Sequence, residues 1–270
     1  MSVIVERGSS PVILGMPHVG TNVPDEIKAR LNDNGRQLTD ADWHVEDLYA
    51  GLLPEATVVR ATFHRYVIDA NRDPSGESLY PGQNTTTLIP MSDFDGTPIW
   101  GEEITEEDRQ ARIKAFHKPY HDALRAEIER VKAIHGIAVL FDCHSIRSHI
   151  PFLFEGKLPD FNIGTDNGKT CAPEIEAALA ETAADASKDG YSHVVNGRFR
   201  GGWTTRHYGE PENNVHAIQL ELAQSAYLKS ETLPFDYDAV KAERLRAHLG
   251  KALQRIEATA LSCAKSGSKA

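Results

Sequence analysis

The sequence predicts an α/β fold, on three observations. Short apolar runs alternate with amphipathic stretches along the 270 residues. The clearest run, Ile137–Phe141 (IAVLF), sits between Gly136 and the polar Asp142 and reads as a buried strand. Two such runs end alike, each with a histidine just beyond its apolar residues: Pro11–Met16 before His18, and Ile137–Phe141 before His144.

In chain order, Pro11–Met16 is the first strand expected. Pro24–Asp33 is read as a helix, with proline early in its first turn. Asp40–Leu53 is read as a second helix, stopped by Pro54. Ala56–Thr62 and Tyr66–Ala70 are rich in Val and Ile and read as strands. Residues 71–100 form a long irregular stretch with several prolines. Its apolar residues, including Tyr80, Leu88, Phe94 and Trp100, predict a wall or lid packed on the body. Ile104–His135 is the strongest helical segment. Thr105 and Asp108 resemble a capping box, and Pro119 is expected to kink or split the helix. Short apolar pieces follow at Phe152–Phe154 and Phe161–Ile163. Then come a helix at Pro173–Ser187, strands at His193–Val195 and Val215–Leu222, and a final amphipathic helix at Phe235–Ala264. One domain over 1–265 is expected, with a frayed, disordered tail over 266–270.

Hydrophobic residues make up 40% and charged residues 25%, enough for a real core and against a wholly disordered chain. Thirty-nine acids against 29 Lys and Arg give a formal charge of -10. That balance argues against nucleic acid and against an anionic membrane surface as partners. The three cysteines are widely spaced, with no CxxC pair, and Met1–Ser10 lacks an apolar signal core. A reducing, cytoplasmic location is expected, with a monomer or small homo-oligomer as the assembly.

In open α/β sheets, ligands bind beyond the carboxyl ends of the strands. His18 and His144 are both placed there. Glu221 lies between Leu220 and Leu222 at the end of a third strand, where a carboxylate needs a partner or a function. Two histidines with acids near strand ends suit a catalytic zinc that keeps an open position. For the third ligand, Asp42, His44, Glu46 and Asp47 are open alternatives; Asp42 and Glu46, at i and i+4, share a helix face. His117 and His121 are a rival pair at the same spacing, weakened by Pro119 between them. Three arginine islands stand out in this acidic chain: Arg60, His64, Arg65 and Arg72 around Asp69; Arg147 with His149; and Arg198, Arg200, Arg206 with His207. Arginine is the preferred partner of carboxylates, so an anionic substrate is expected. Asp142, two residues before His144 on the same strand face, is placed to orient a histidine ligand.

Nine segments together resemble the N-formylglutamate amidohydrolase family, in order over about residues 11–225. They are Met16-Pro-His-Val-Gly20, Ala41-Asp-Trp-His44, Arg65-Tyr-Val-Ile-Asp-Ala-Asn-Arg72, Leu79-Tyr-Pro-Gly82, Asp142-Cys-His-Ser-Ile-Arg-Ser-His149, Gly156-Lys-Leu-Pro-Asp160, Asn196-Gly-Arg-Phe-Arg-Gly-Gly202, Thr205-Arg-His-Tyr208 and Gln219-Leu-Glu-Leu-Ala-Gln224. The resemblance implies a three-layer α/β/α fold around a central mixed sheet, phosphorylase/hydrolase-like and of the zinc carboxypeptidase-like kind. It implies Zn2+, or another divalent metal such as Co2+ or Fe2+, held by His18, Asp42 (Glu46 remaining open) and His144. It implies Glu221 as general base, with Arg65 or His207 stabilising the oxyanion. Asn71 and Arg72 would bind one carboxylate of a small dicarboxylate N-formyl amino acid. Arg147, Arg198 and Arg206 compete for the other. The implied reaction releases formate and L-glutamate from N-formyl-L-glutamate, in histidine degradation. The alternatives are a zinc amidase acting on another N-acyl amino acid or peptide, and a non-catalytic anion-binding protein.

Overall fold

Seven strands form one sheet in the order β1-β3-β2-β4-β7-β5-β6 in the computed structural model, which describes residues 1–78 and 82–267. The strands are β1 Val3–Glu6, β2 Val12–Met16, β3 Thr57–Ala61, β4 Ala138–Ile146, β5 Phe161–Gly164, β6 His193–Val195 and β7 Val215–Ala223. The central four, β3-β2-β4-β7, run parallel. The chain reverses at both sides: β1 pairs antiparallel with β3, and β5 antiparallel with β7. The sheet is therefore mixed.

Both faces are covered. Val12, Val139, Phe141 and Ile218 point to one side, against α2 (Val45–Tyr49), α5 (Pro173–Ala186) and α7 (Ala239–Gly267). Ile13, Leu140 and Ala217 point to the other, against α4 (Lys118–His135). Helices on both faces of a largely parallel sheet give the three layers, and explain why β2 and the start of β4 read as unbroken apolar runs.

Several elements differ from the sequence reading. The expected helix at 24–33 is one turn, α1 (Asp25–Lys28), and the one at 40–53 is only α2. His44 takes a left-handed conformation (φ 59°) immediately before α2, so no helix passes through it. Residues 66–70 form no strand; Val67 and Ile68 are buried through tertiary packing instead. Unanticipated were β1 and the short helix α6 (Trp203–Tyr208). The 104–135 segment is continuous: α3 (Glu106–Arg112), capped by the Thr105–Asp108 box, passes through a widened π turn at Ile113–His117 into α4. Pro119 is accommodated just after that turn, where the α-helical bond pattern is already broken.

The 71–100 stretch does pack on the body, with Leu88, Ile89, Phe94 and Ile99 buried. Tyr80, most of the Leu79–Gly82 segment and the end of the 266–270 tail lie outside the described residues. No described helix is long and apolar enough to cross a membrane.

Candidate metal and catalytic site

The site lies at the carboxyl ends of β2, β4 and β7. His18 follows β2 by two residues. His144 lies near the end of β4, directly opposite Glu221 on β7, and Asp142 stands opposite Gln219. Alternation along the strands turns these four side chains to the α4 side of the sheet, while Cys143 and Leu220 enter the opposite core. Asp42 is delivered by the turn before α2, whose backbone N–H donates to the His18 carbonyl (3.0 Å).

One donor atom each from His18, Asp42 and His144 converge within 4.8 Å of one another, all buried. Asp42 Oδ2 is 2.9 Å from His144 Nδ1 and 3.8 Å from His18 Nδ1. Each remaining ring nitrogen faces a carboxylate and a donor: His18 Nε2 is 2.7 Å from Asp69 Oδ1 and 3.2 Å from Arg65 Nη2, and His144 Nε2 is 3.2 Å from Asp142 Oδ1 and 3.1 Å from Asn71 Nδ2. Asp142 Oδ2 accepts from Thr205 Oγ1 (3.0 Å), while its Oδ1 is buried with no hydrogen bond. A cation on His144 Nδ1 would put the ring proton on Nε2, beside that orphaned oxygen. The residues present therefore fit a divalent metal: two imidazoles, a carboxylate, and a carboxylate behind each imidazole.

The electrostatics agree. Burial would raise the Asp42 carboxyl, but the hydrogen bond to His144 and the nearby His18 and Arg65 hold it below its ordinary value. Burial works against a charged His144, yet Asp142 and Asp42 keep the imidazole well above its usual range. His18 is lowered, by burial and then by the Arg65 guanidinium. Glu221 is pushed up to about 8, chiefly by burial; positive charge in the triad would oppose that rise. Gln219 Nε2 donates to Glu221 Oε2 (3.2 Å), and Gln219 Oε1 accepts from the Gly202 N–H (2.7 Å).

A cleft opens onto the triad and Glu221, lined also by Arg65, Asn71, Arg72 and Arg198. Arg65 Nη2 donates to Asp69 Oδ2 (2.8 Å), and its guanidinium lies 4.9 Å from the centre of the Phe94 ring. Arg72 donates to the Thr86 carbonyl and hydroxyl (both 2.8 Å), and Arg198 Nη2 to the Asn84 carbonyl (3.2 Å). Described residues of the 71–100 segment thus form one wall of the cleft.

The other predicted residues lie elsewhere. Arg147 pairs with Asp95 (2.7 Å), and Arg206 faces the Gly201 carbonyl and Asp166; neither lines the cleft. His207 stacks on Trp203, outside the cleft. Glu46 pairs with Arg60 (2.7 Å), away from both histidines. Two residues matter more than their sequence context indicated. Asp69 meets His18, Arg65 and Arg72 together; its position as the lone acid in an arginine island was the available signal. Gln219 holds Glu221, and its alternation with Glu221 on β7 was the corresponding one.

Comparison with known proteins finds consistent relatives. A sequence model described as N-formylglutamate amidohydrolase matches residues 10–228. The N-formylglutamate deformylase of Pseudomonas putida is 44% identical over 253 residues, 93% of each chain. That of Pseudomonas aeruginosa is 45% identical over 255 residues, 93% of this chain and 94% of its own. The crystal structure of an N-formylglutamate amidohydrolase from Ralstonia eutropha JMP134 superposes with a TM-score of 0.75 at 24% identity, covering 98% of this chain and 97% of that one. A gene product of Agrobacterium tumefaciens gives a TM-score of 0.67 at 21% identity, covering 95% and 96%. The last two share the fold.

Proposed function

The chain belongs to the N-formylglutamate amidohydrolase family, and from that membership we propose that it hydrolyses N-formyl-L-glutamate to formate and L-glutamate with the help of a divalent metal. The observation that carries the reading is the buried His18–Asp42–His144 group at a cleft lined by three arginines. A chain of net charge -10 that gathers guanidinium groups on one cleft favours a dianionic ligand.

Two imidazoles and a carboxylate suit Zn2+, and Co2+ or Fe2+ accept the same set. When bound, such a cation supplies the Lewis acidity that lets water lose a proton near neutral pH. The chain's own groups do the rest. The Glu221 carboxylate takes the proton from the attacking water and returns it to the leaving nitrogen. Arg65, fixed by Asp69, stabilises the negative charge that develops on the formyl oxygen. Arg72 with Asn71 binds one substrate carboxylate. Arg198 binds the other, because of the three candidates only it lines the cleft. Leu153 and Phe199 beside it suit the methylenes between the two carboxylates. We place the reaction in histidine degradation, on the family resemblance, and in the cytoplasm, which suits three free cysteines.

The test is formate release from N-formyl-L-glutamate, with N-formyl-aspartate and N-acetyl-glutamate alongside, before and after chelation and after Zn2+ is returned. Chelator-sensitive hydrolysis of N-formylglutamate above the other two is expected. No formate from folded, metal-loaded protein overturns the reading. Within it, Glu221→Gln keeps its metal and loses about 10²–10⁴-fold in kcat; near-parental turnover removes Glu221 as the base.

A further inference from the structure

We infer that His117 and His121 are positioning residues for the Asn71–Arg72 carboxylate reader: two buried imidazoles that grip the carbonyl oxygens on either side of Asn71. The inference rests on the proposed role of Asn71 and Arg72. Neither histidine belongs to the group of metal-ligating side chains found among the described residues.

Residues 70–72 lie in neither helix nor strand, so no ladder satisfies their backbone carbonyls. Side chains do so instead. His121 Nε2 lies 2.7 Å from the Ala70 carbonyl oxygen, Arg72 Nη1 donates to that of Asn71 (2.9 Å), and His117 Nε2 lies 3.0 Å from that of Arg72. A carbonyl accepts only, so both imidazoles present Nε2–H. Both rings are buried, their centres 4.4 Å apart, and Trp203 packs against each. Burial holds both below the ordinary imidazole value, His121 well below. A neutral His121 then accepts a hydrogen bond at Nδ1 from the Tyr208 hydroxyl, 3.1 Å away. From the opposite side the Thr204 N–H donates to Asn71 Oδ1 (2.9 Å). The reader is therefore fixed through its backbone from α4 and the widened turn before it, and through the Asn71 side chain from α6 and from His144, whose Nε2 lies 3.1 Å from Asn71 Nδ2.

The widened turn at Ile113–His117 belongs to this arrangement. It ends on His117 and sets that ring beside His121, so both face the same loop from successive turns. Such turns recur at functional sites. A clamp of this kind sets the direction of the Arg72 guanidinium without touching substrate. Its loss therefore falls on substrate binding, not on the proton-transfer step.

The test compares His117→Gln, His117→Asn, His121→Gln and His121→Asn with Arg72→Lys, in the metal-loaded enzyme. Each is assayed for KM and kcat on N-formyl-L-glutamate, for metal content and for thermal midpoint. Gln carries an amide N–H near the Nε2 position, and Asn is too short to reach the carbonyl. Expected are a KM raised about tenfold by Asn at either position, the scale of one lost hydrogen bond, with kcat and metal content near parental, and recovery of most of the loss by Gln. Combining His117→Asn with Arg72→Lys should raise KM by less than the product of the single effects. Equal KM values for the Asn, Gln and parental proteins, with Arg72→Lys impaired, overturn the clamp. A fall in kcat or metal content at parental KM overturns it as well. A parental KM in Arg72→Lys overturns the carboxylate reading instead, and the clamp with it.

Discussion

Asp69 gathers the charges of the site at one carboxylate. It is fully buried and meets His18 Nε2, Arg65 Nη2 and its own loop's Asn71 N–H, at 2.7, 2.8 and 2.8 Å. Burial alone would raise its carboxyl, but Arg65, Arg72 and His18 hold it well below the ordinary range. Neutralising it strands the buried Arg65 guanidinium and releases His18. Asp69→Asn is therefore expected to cost about 3–5 kcal/mol, the scale of breaking a buried pair, and to weaken metal binding about 10–100-fold. Denaturant titration and metal titration read the two effects. Asp142→Asn should show the metal loss with much less destabilisation, because no arginine pairs with Asp142; equal stability losses in both would contradict the distinction. Gly202 makes a second case. Its backbone is ordinary (φ -77°), but an added Cβ would lie 2.3 Å from Asn71 Nδ2. Gly202→Ala should displace the Asn71 amide and raise KM for N-formyl-L-glutamate about tenfold or more, with a near-parental melting temperature; an unchanged KM would place Asn71 outside substrate binding. Legibility at this scale follows geometry. His18, His144 and Glu221 could be read because strand ends point predictably. That Asp42 rather than its acidic neighbours lies beside the two histidines, and that Arg198 rather than the other loop arginines lines the cleft, follows only from long-range contacts that no local spacing encodes.

The elements that could be read are those whose burial repeats along the chain. β2, β4 and β7 lie between two helical layers, so β2 and the first half of β4 appear as unbroken apolar runs and β7 as a run interrupted only by His216, Gln219 and Glu221. α7 shows a single buried stripe, with Leu245, Leu249, Ala252, Leu253 and Ile256 at helical spacing. The elements that were missed are short and held by other parts of the molecule. β1 has four residues and exists by pairing with β3, and α6 has six and is fixed through Thr204 and Thr205. The apparent strand at 66–70 owed its Val and Ile to burial, not to a ladder. α7 offers a direct test. Leu249 is fully buried in the core on the α2, α5 and α7 side of the sheet, whereas Val240, in the first turn, is 75% exposed. Leu249→Ala should destabilise the protein by about 2–5 kcal/mol, and Val240→Ala by no more than about 0.5 kcal/mol. Urea unfolding of the two variants checks the docking of α7; a small loss at Leu249 would mean that the helix contributes little to the core.

At the scale of the whole molecule, charge and burial make opposite claims about acid. The formal charge is -10 and the pI about 5.6, so acidification from neutrality relieves net repulsion and, on that ground alone, favours the compact state. The buried histidines work the other way. His64 is fully buried, and burial, reinforced by the Arg65 guanidinium, lowers its imidazole to about 3. In the unfolded chain it titrates near ~6.5. Between those values the unfolded state holds a proton that the folded state refuses, so each lowered pH unit costs about 1.4 kcal/mol for this one group. That cost is absent above ~6.5 and fully developed once pH falls below the folded value. His117, His121 and His216 are lowered by burial too and carry the same sign. Asp40, raised to about 6, and Glu221, pushed up to about 8, both by burial, oppose them over part of the range, as does His144, which Asp142 and Asp42 hold above its usual range. The lowered histidines, His18 among them, outnumber these groups, so stability should fall from pH 7 to pH 5 even as the net charge shrinks. Urea titrations across that range, on chelator-treated protein so that proton competition at the triad drops out, measure the slope. His64→Gln should flatten it by about one proton relative to the parent. A slope unchanged in that variant would mean that His64 is protonated in the folded protein, and that the interior around Arg65 is far more polar than its packing implies.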